Sequence, residues 1–269
     1  MKYIKIFLAS SIVEFESERQ QMASYINNLN NIYVRRGVYF ELLICENLST
    51  AMDRERKQDE YNRFIRDSQF FYIILGQKAG DYTIEEFDTA WDQFKNTGAP
   101  KVNTFFYELP EDKPADKSVL DFMNRLDQEL GHFYTRFTHL DSVKLSILLE
   151  FTRDPELHSV LKFEDGRAVL DGSPMLLLDN IPVYSKNEQL NQWRKELKQL
   201  DGEFAALAEG YGKDPSLFSQ MLKVGEQRAK LLENIHQWEM NVLDLYKAVC
   251  DLKNEGRKLN WREKKAMEL

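Results

Sequence analysis

Cysteine is almost absent from this 269-residue chain: Cys45 and Cys250 lie far apart and form no CxxC pair. That excludes a disulfide framework and a cysteine-held zinc site as organising features. Histidine is nearly as scarce. His132, His139, His158 and His236 make no HExxH or other ligand spacing, so no metal site is assigned, and His132 and His139 read as structural residues flanking a strand. No apolar run approaches the roughly 18 residues that a membrane span needs. The opening Met1-Lys2-Tyr3-Ile4 runs straight into strand-like sequence, without the features of a signal peptide. Positive charge is in deficit, with 36 Lys and Arg against 44 Asp and Glu, for a net charge of −8. The balance argues against nucleic acid or an anionic membrane as a direct partner. A soluble, cytoplasmic setting is the expectation. Also missing are a GxGxxG after a strand, a P-loop and a GxSxG elbow. Their absence removes support for a dinucleotide fingerprint, P-loop phosphoryl transfer and a serine-hydrolase site. Carboxylate chemistry remains.

Strand-like and helix-like stretches alternate over residues 1–153. KIFLAS is too densely apolar for a surface helix and reads as a strand buried on both faces. Glu14 to Asn27 reads as a helix, with Phe15, Met22 and Ile26 as its apolar stripe and Glu16, Glu18, Arg19 and Gln20 as its wet side. Tyr39–Cys45 is a second strand after Gly37, and a charged helix is expected from Ala51 to Asp67. Phe70–Leu75 follows as strand, Thr83–Lys95 as helix, and Thr97-Gly98-Ala99-Pro100 as its stop. Val102–Tyr107 and Phe133–Phe137 complete the strands; Asp116–Leu130 and Leu140–Arg153 complete the helices. Five such units with short connections predict an α/β fold with a parallel sheet covered on both faces. Ligands of such sheets bind beyond the carboxyl ends of the strands. That rule selects Ser10-Ser11, Glu46–Thr50 and Gly76–Tyr82.

Over residues 154–186 the pattern shifts to short alternating runs around Asp165-Gly166 and Asp171-Gly172, which predicts a β-hairpin connector. From residue 187 to 269 it becomes helical. Leu190, Trp193, Leu197, Leu200, Phe204 and Leu207 are spaced as an a/d seam. After Gly210, Gly212 and Asp214-Pro215 a longer seam follows: Val224, Leu231, Ile235, Trp238, Val242, Leu245, Val249 and Leu252, with Arg228 as the polar intruder. An antiparallel helical hairpin is expected, pairing within or between chains. The terminal Ala266-Met267-Glu268-Leu269 is similar to the opening of a tetratricopeptide helix, as though helical repeats followed.

Glu86 is the candidate catalytic residue, against a strong competing role. Thr83-Ile84-Glu85-Glu86 fits a capping box, and Glu85, Glu86 and Asp88 would lie where a helix dipole favours anions. From the local pattern alone Glu86 is a cap.

KIFLASS, the following ESER helix and GQKAGDYTIEEFDTAW after the third strand together resemble the TIR (Toll/interleukin-1 receptor-like) domain. The resemblance is to the bacterial TIR-like branch and covers about residues 1–153. It implies a five-stranded flavodoxin-like sheet and cleavage or cyclisation of NAD at the nicotinamide–ribose bond, with NAD as substrate and no separate cofactor. It puts Glu86, within Glu86-Phe87-Asp88-Thr89-Ala90, in the catalytic place. It implies further that Ser10 and Ser11 line the cleft beneath the ribose, that Glu46 belongs to the loop shaping the site, and that Tyr82 stacks on a ring. Gly76 and Gly80 would let backbone pass close to the ligand. The family's sites are commonly completed by a neighbouring subunit, so the helical segment is expected to drive homo-oligomerisation of a bacterial antiphage effector. Two alternatives stand beside this: an enzyme similar to nucleoside 2-deoxyribosyltransferases, which carries its own catalytic Glu, and a non-enzymatic TIR scaffold.

Overall fold

The computed structural model describes residues 1–44, 57–157 and 159–254. The loop Glu46–Thr50, the start of the charged helix at Ala51, His158 and the terminal tetratricopeptide-like stretch lie outside these residues. The chain divides into two compact units, Met1–Lys144 and Leu145–Leu269.

The first unit holds five strands, β1 (Lys2–Ser10), β2 (Val38–Leu43), β3 (Phe70–Leu75), β4 (Lys101–Tyr107) and β5 (Tyr134–Phe137). All pair in parallel, in the order β2-β1-β3-β4-β5. This is the flavodoxin-like arrangement, with its topological switch point between β1 and β3. The central strand β3, FFYIIL, is buried at every position, as its unbroken apolar run requires of a strand covered on both faces.

Helices connect the strands: α1 (Glu16–Tyr33), α2 (Lys57–Arg66), α3 (Asp81–Thr97) and α4 (Lys117–Arg125), the last running into a π turn, Leu126–Leu130. Another helix, α5 (Asp141–Arg153), contains the boundary between the units. Alternation along β1 sends Phe7 and Ala9 into one core with Ile65, Phe71, Ile73, Phe87, Ala90 and Phe122. Ile4, Ile6, Leu8 and Ser10 point to the opposite face. On that side Asn30 of α1 clamps the backbone of Phe40, donating from Nδ2 to its carbonyl at 2.9 Å and accepting its N–H at 2.7 Å. Gly98 closes α3 in the left-handed region (φ 80°), its N–H on the carbonyl of Phe94 at 2.7 Å, as the glycine stop predicts.

The second unit begins with β6 (Leu161–Glu164), β7 (Arg167–Leu170) and β8 (Ser173–Leu177), an antiparallel sheet in that order. Both expected turns form. Asp165 and Gly166 (φ 52° and 70°), then Asp171 and Gly172 (φ 50° and 82°), carry the paired positive φ angles of two-residue hairpins. A short helix, α6 (Pro182–Ser185), leads to α7 (Glu188–Tyr211) and α8 (Phe218–Asn254). These last two pack on each other within the chain. Asp201 pairs with Arg228, the polar intruder of the seam, and Phe204 lies over Gly225. No helix among the described residues is long and apolar enough to cross a membrane.

Candidate active site

At the carboxyl edge of the first sheet, the loops after β1 and β3 flank the switch point, where such sheets bind ligands. Ser10 ends β1 and is buried. Its Oγ accepts a hydrogen bond from Arg19 Nη1 at 2.8 Å, and its carbonyl is 3.3 Å from the same nitrogen. Ser11 Oγ accepts the backbone N–H of Glu14 at 3.3 Å, a local turn bond. Gly76 has a specific neighbour. A Cβ there would lie 2.0 Å from Glu14 Oε1 and 2.9 Å from Phe15 Cζ. What passes close to this glycine in the structure is the Glu14 carboxylate, which reaches across to accept the N–H of Gln77.

Helix α3 begins at Asp81, with Gly80 as its N-cap in extended conformation and no side-chain cap bond. The capping box is therefore not made. Thr83 is a buried residue of the first turn, and Tyr82 lies within that turn instead of before it, largely exposed. Glu86 sits in the second turn, only 9% exposed, on the inner face with Thr83, Phe87 and Ala90. The motif T-x-x-E reads the same wherever it falls. Here the glycine-plus-aspartate start, with an anion at the positive end of the helix, moves it one turn inward.

Burial is the main influence on Glu86 and pushes its pKa up to about 7. Gln58 and Arg19 oppose that rise, and the charge of Glu85 adds to it. An ordinary, fully ionised carboxylate at neutral pH is thus not what the fold provides. Glu86 is poised near half-ionisation. Glu85, about 100° round the helix, faces elsewhere: its Oε1 accepts from Asn62 Nδ2 at 3.0 Å.

Arg19, read from the sequence as part of a wet face, is 2% exposed. The signal was present in the spacing. Phe15, Arg19, Met22, Ile26, Leu29 and Tyr33 are separated by alternating steps of four and three, and all are buried. Gln58 and Asn62 were also missed. They stand four apart on α2, so they share a face, and both are buried. Gln58 lies beside Glu86 and holds its pKa down, and among the described residues neither its Nε2 nor Asn62 Oδ1 has a hydrogen-bond partner. The buried amide pair thus keeps unspent donor and acceptor capacity beside the acidic helix.

A groove of about 570 Å³ runs along the other side of α3, lined by Asn62, Arg66, Asp81, Glu85, Asp88 and Ser118 among others. Glu86 does not line it. Glu46 lies outside the described residues. The structure thus links Ser10 to Arg19 by a hydrogen bond and sets Arg19 and Gln58 as influences on Glu86, while Ser11 is engaged in a local turn and Tyr82 is largely exposed. His132 packs on Trp91 and Phe87 and meets Thr104 Oγ1 at 3.2 Å. Among the described residues no group of His, Cys, Asp or Glu is placed to hold a metal ion. No protein-family model, no curated protein and no solved structure matches this chain.

Proposed function

We propose that the protein is a TIR-type NAD glycohydrolase with Glu86 as its catalytic carboxylate. The observation that carries the reading is a buried carboxyl on the helix after β3 of a flavodoxin-like sheet, acted on by the same Arg19 that binds Ser10 at the end of β1. The chemistry fits one carboxylate. Nicotinamide is bound to ribose as a pyridinium and leaves neutral, so the leaving group needs no proton. The transition state resembles a ribosyl oxocarbenium ion, as in glycoside hydrolysis. A fixed anion stabilises the charge that develops there. Water then gives ADP-ribose, or an adenine nitrogen of the same molecule gives a cyclic isomer. The family resemblance suggests antiphage defence as the setting and assembly of several copies as the trigger, with the second unit as the assembly device.

The test is incubation of concentrated protein with NAD and chromatographic separation of products. Nicotinamide release by wild type and by Glu85→Gln, abolished in Glu86→Gln, supports the reading; wild type that leaves NAD intact ends it. Specific activity that rises with protein concentration is expected from assembly, and a flat dependence counts against it.

The elevated pKa of Glu86 favours a second reading, transfer of a deoxyribosyl group between nucleobases. A neutral nucleoside needs its leaving base protonated, which a carboxyl held partly in the acid form can do. A nucleobase-exchange assay with NAD as competitor separates the two.

A further inference from the structure

We propose that Arg19 is the positioning residue of this site, pinning Ser10 at the end of β1 from within the buried face of α1 and tying that strand end to Glu86 on α3. The inference rests on Glu86 being the working carboxylate. Arg19 occupies an a/d-like place in the apolar stripe of α1, between Phe15 and Met22, where a Leu or Met would pack without cost. A guanidinium cannot shed its charge to escape burial. Buried ionic groups are commonly matched or exceeded in stability by apolar residues of similar size. Packing therefore does not account for an arginine at this position.

Its contacts do. One nitrogen, Nη1, binds both the hydroxyl and the carbonyl of Ser10, which fixes the last residue of β1 at the switch point. The same charge acts on Glu86 from α1, where it favours the carboxylate. The other groups that act on Glu86 are Gln58 from α2, which is neutral, and Glu85 from α3 itself, which disfavours ionisation. Arg19 is the cation of the set. Without it, Gln58 alone is left to oppose burial and Glu85, and the balance moves toward the neutral acid, which cannot stabilise an oxocarbenium ion.

Glu86 can be titrated in the full chain by carbon-13 NMR of labelled glutamate carboxyls, with Glu86→Gln to assign its signal. Arg19→Met is expected to move the midpoint about one pH unit toward alkaline, whereas Arg19→Lys, which keeps the charge, stays near wild type. An unmoved midpoint in Arg19→Met, or equal shifts in both variants, overturns the proposal. If Arg19→Met does not fold, Arg19→Lys decides by kinetics. A lysine ammonium on its shorter stem does not reach the place of Nη1 on Ser10, which should lower kcat about tenfold with KM and the pH profile unchanged. A raised KM with unchanged kcat puts Arg19 on the substrate instead and overturns the positioning role. The titration uses no substrate, so absent NAD cleavage removes the proposed function while the midpoints still judge Arg19.

Discussion

The carboxylate of Glu14, on the loop after β1, accepts the backbone N–H of Gln77, on the loop after β3, at 2.5 Å. The bond spans the β1/β3 switch point, and it exists because residue 76 has no side chain. Gly76→Ala would place a methyl group where Glu14 Oε1 now lies and crowd Phe15 Cζ. The flexible carboxylate swings away and the charge-assisted bond is lost, at a cost of about 1–2 kcal/mol. Because Glu14→Ala removes the same bond, the double variant should lose less stability than the two single losses summed, the remainder being the crowding of the Phe15 ring. Urea unfolding of the four proteins gives the coupling directly, and additive effects would show that Gly76 answers to something else.

The pH dependence of turnover follows from the burial of Glu86. If the carboxylate is the active form, kcat/KM for NAD rises with pH and levels off above about 7, the value to which burial lifts this group. An acid role in base exchange reverses the slope, with activity falling as pH passes 7. Initial rates from pH 5 to 9 distinguish them. A profile flat across this range removes Glu86 from both mechanisms.

Replacing Glu86 should not weaken the fold at high pH. The folded-state pKa is raised to about 7, while in the unfolded chain the carboxyl titrates near its ordinary value. Above pH 7 the folded protein holds a buried charge that unfolding releases to water, and below the unfolded pKa the penalty vanishes. Glu86→Gln is neutral throughout. It should therefore gain stability at pH 8, by up to about 3 kcal/mol, and lose that advantage as pH falls toward 4.5. Thermal melts at the two pH values check this. A cap would behave in the opposite way, because losing it would lower Tm at neutral pH by about 1 kcal/mol equivalent.

In the second unit, Glu239 of α8 is 1% exposed and accepts the N–H of Gly166, in the β6–β7 turn, at 2.7 Å. Burial raises its pKa. Glu239→Ala leaves that turn N–H without its acceptor and should cost about 2 kcal/mol, whereas Glu239→Gln keeps an oxygen acceptor and should cost less. Denaturant midpoints of the two variants measure the difference. Equal losses would show that the carboxylate charge, rather than the bond to the turn, is what matters.

Much of the scaffold around the candidate site was legible in one dimension, but the burial of its side chains was not. The strand that ends at Ser10, the glycine stop at Gly98 and the two Asp-Gly turns follow from local rules that hold for a few residues at a time. Arg19 shows where such rules mislead: its charge outweighed its position in the stripe, although the spacing from Phe15 to Tyr33 had already marked it as inward. The capping box at Thr83–Glu86 misled for the converse reason. A short motif satisfied a capping pattern, and nothing local revealed that the helix had started at Asp81.

Residue order by itself determined the alternation of strands and helices, the hairpins and the paired seams, because apolar periodicity and turn chemistry act over short range. Only the tertiary structure decided that α7 and α8 pair within the chain, that Gly76 makes room for Glu14, and that Arg19 acts on Glu86. Those outcomes depend on which surfaces meet. Burial and charge proximity join groups distant in sequence, and both come into being when the sheet assembles.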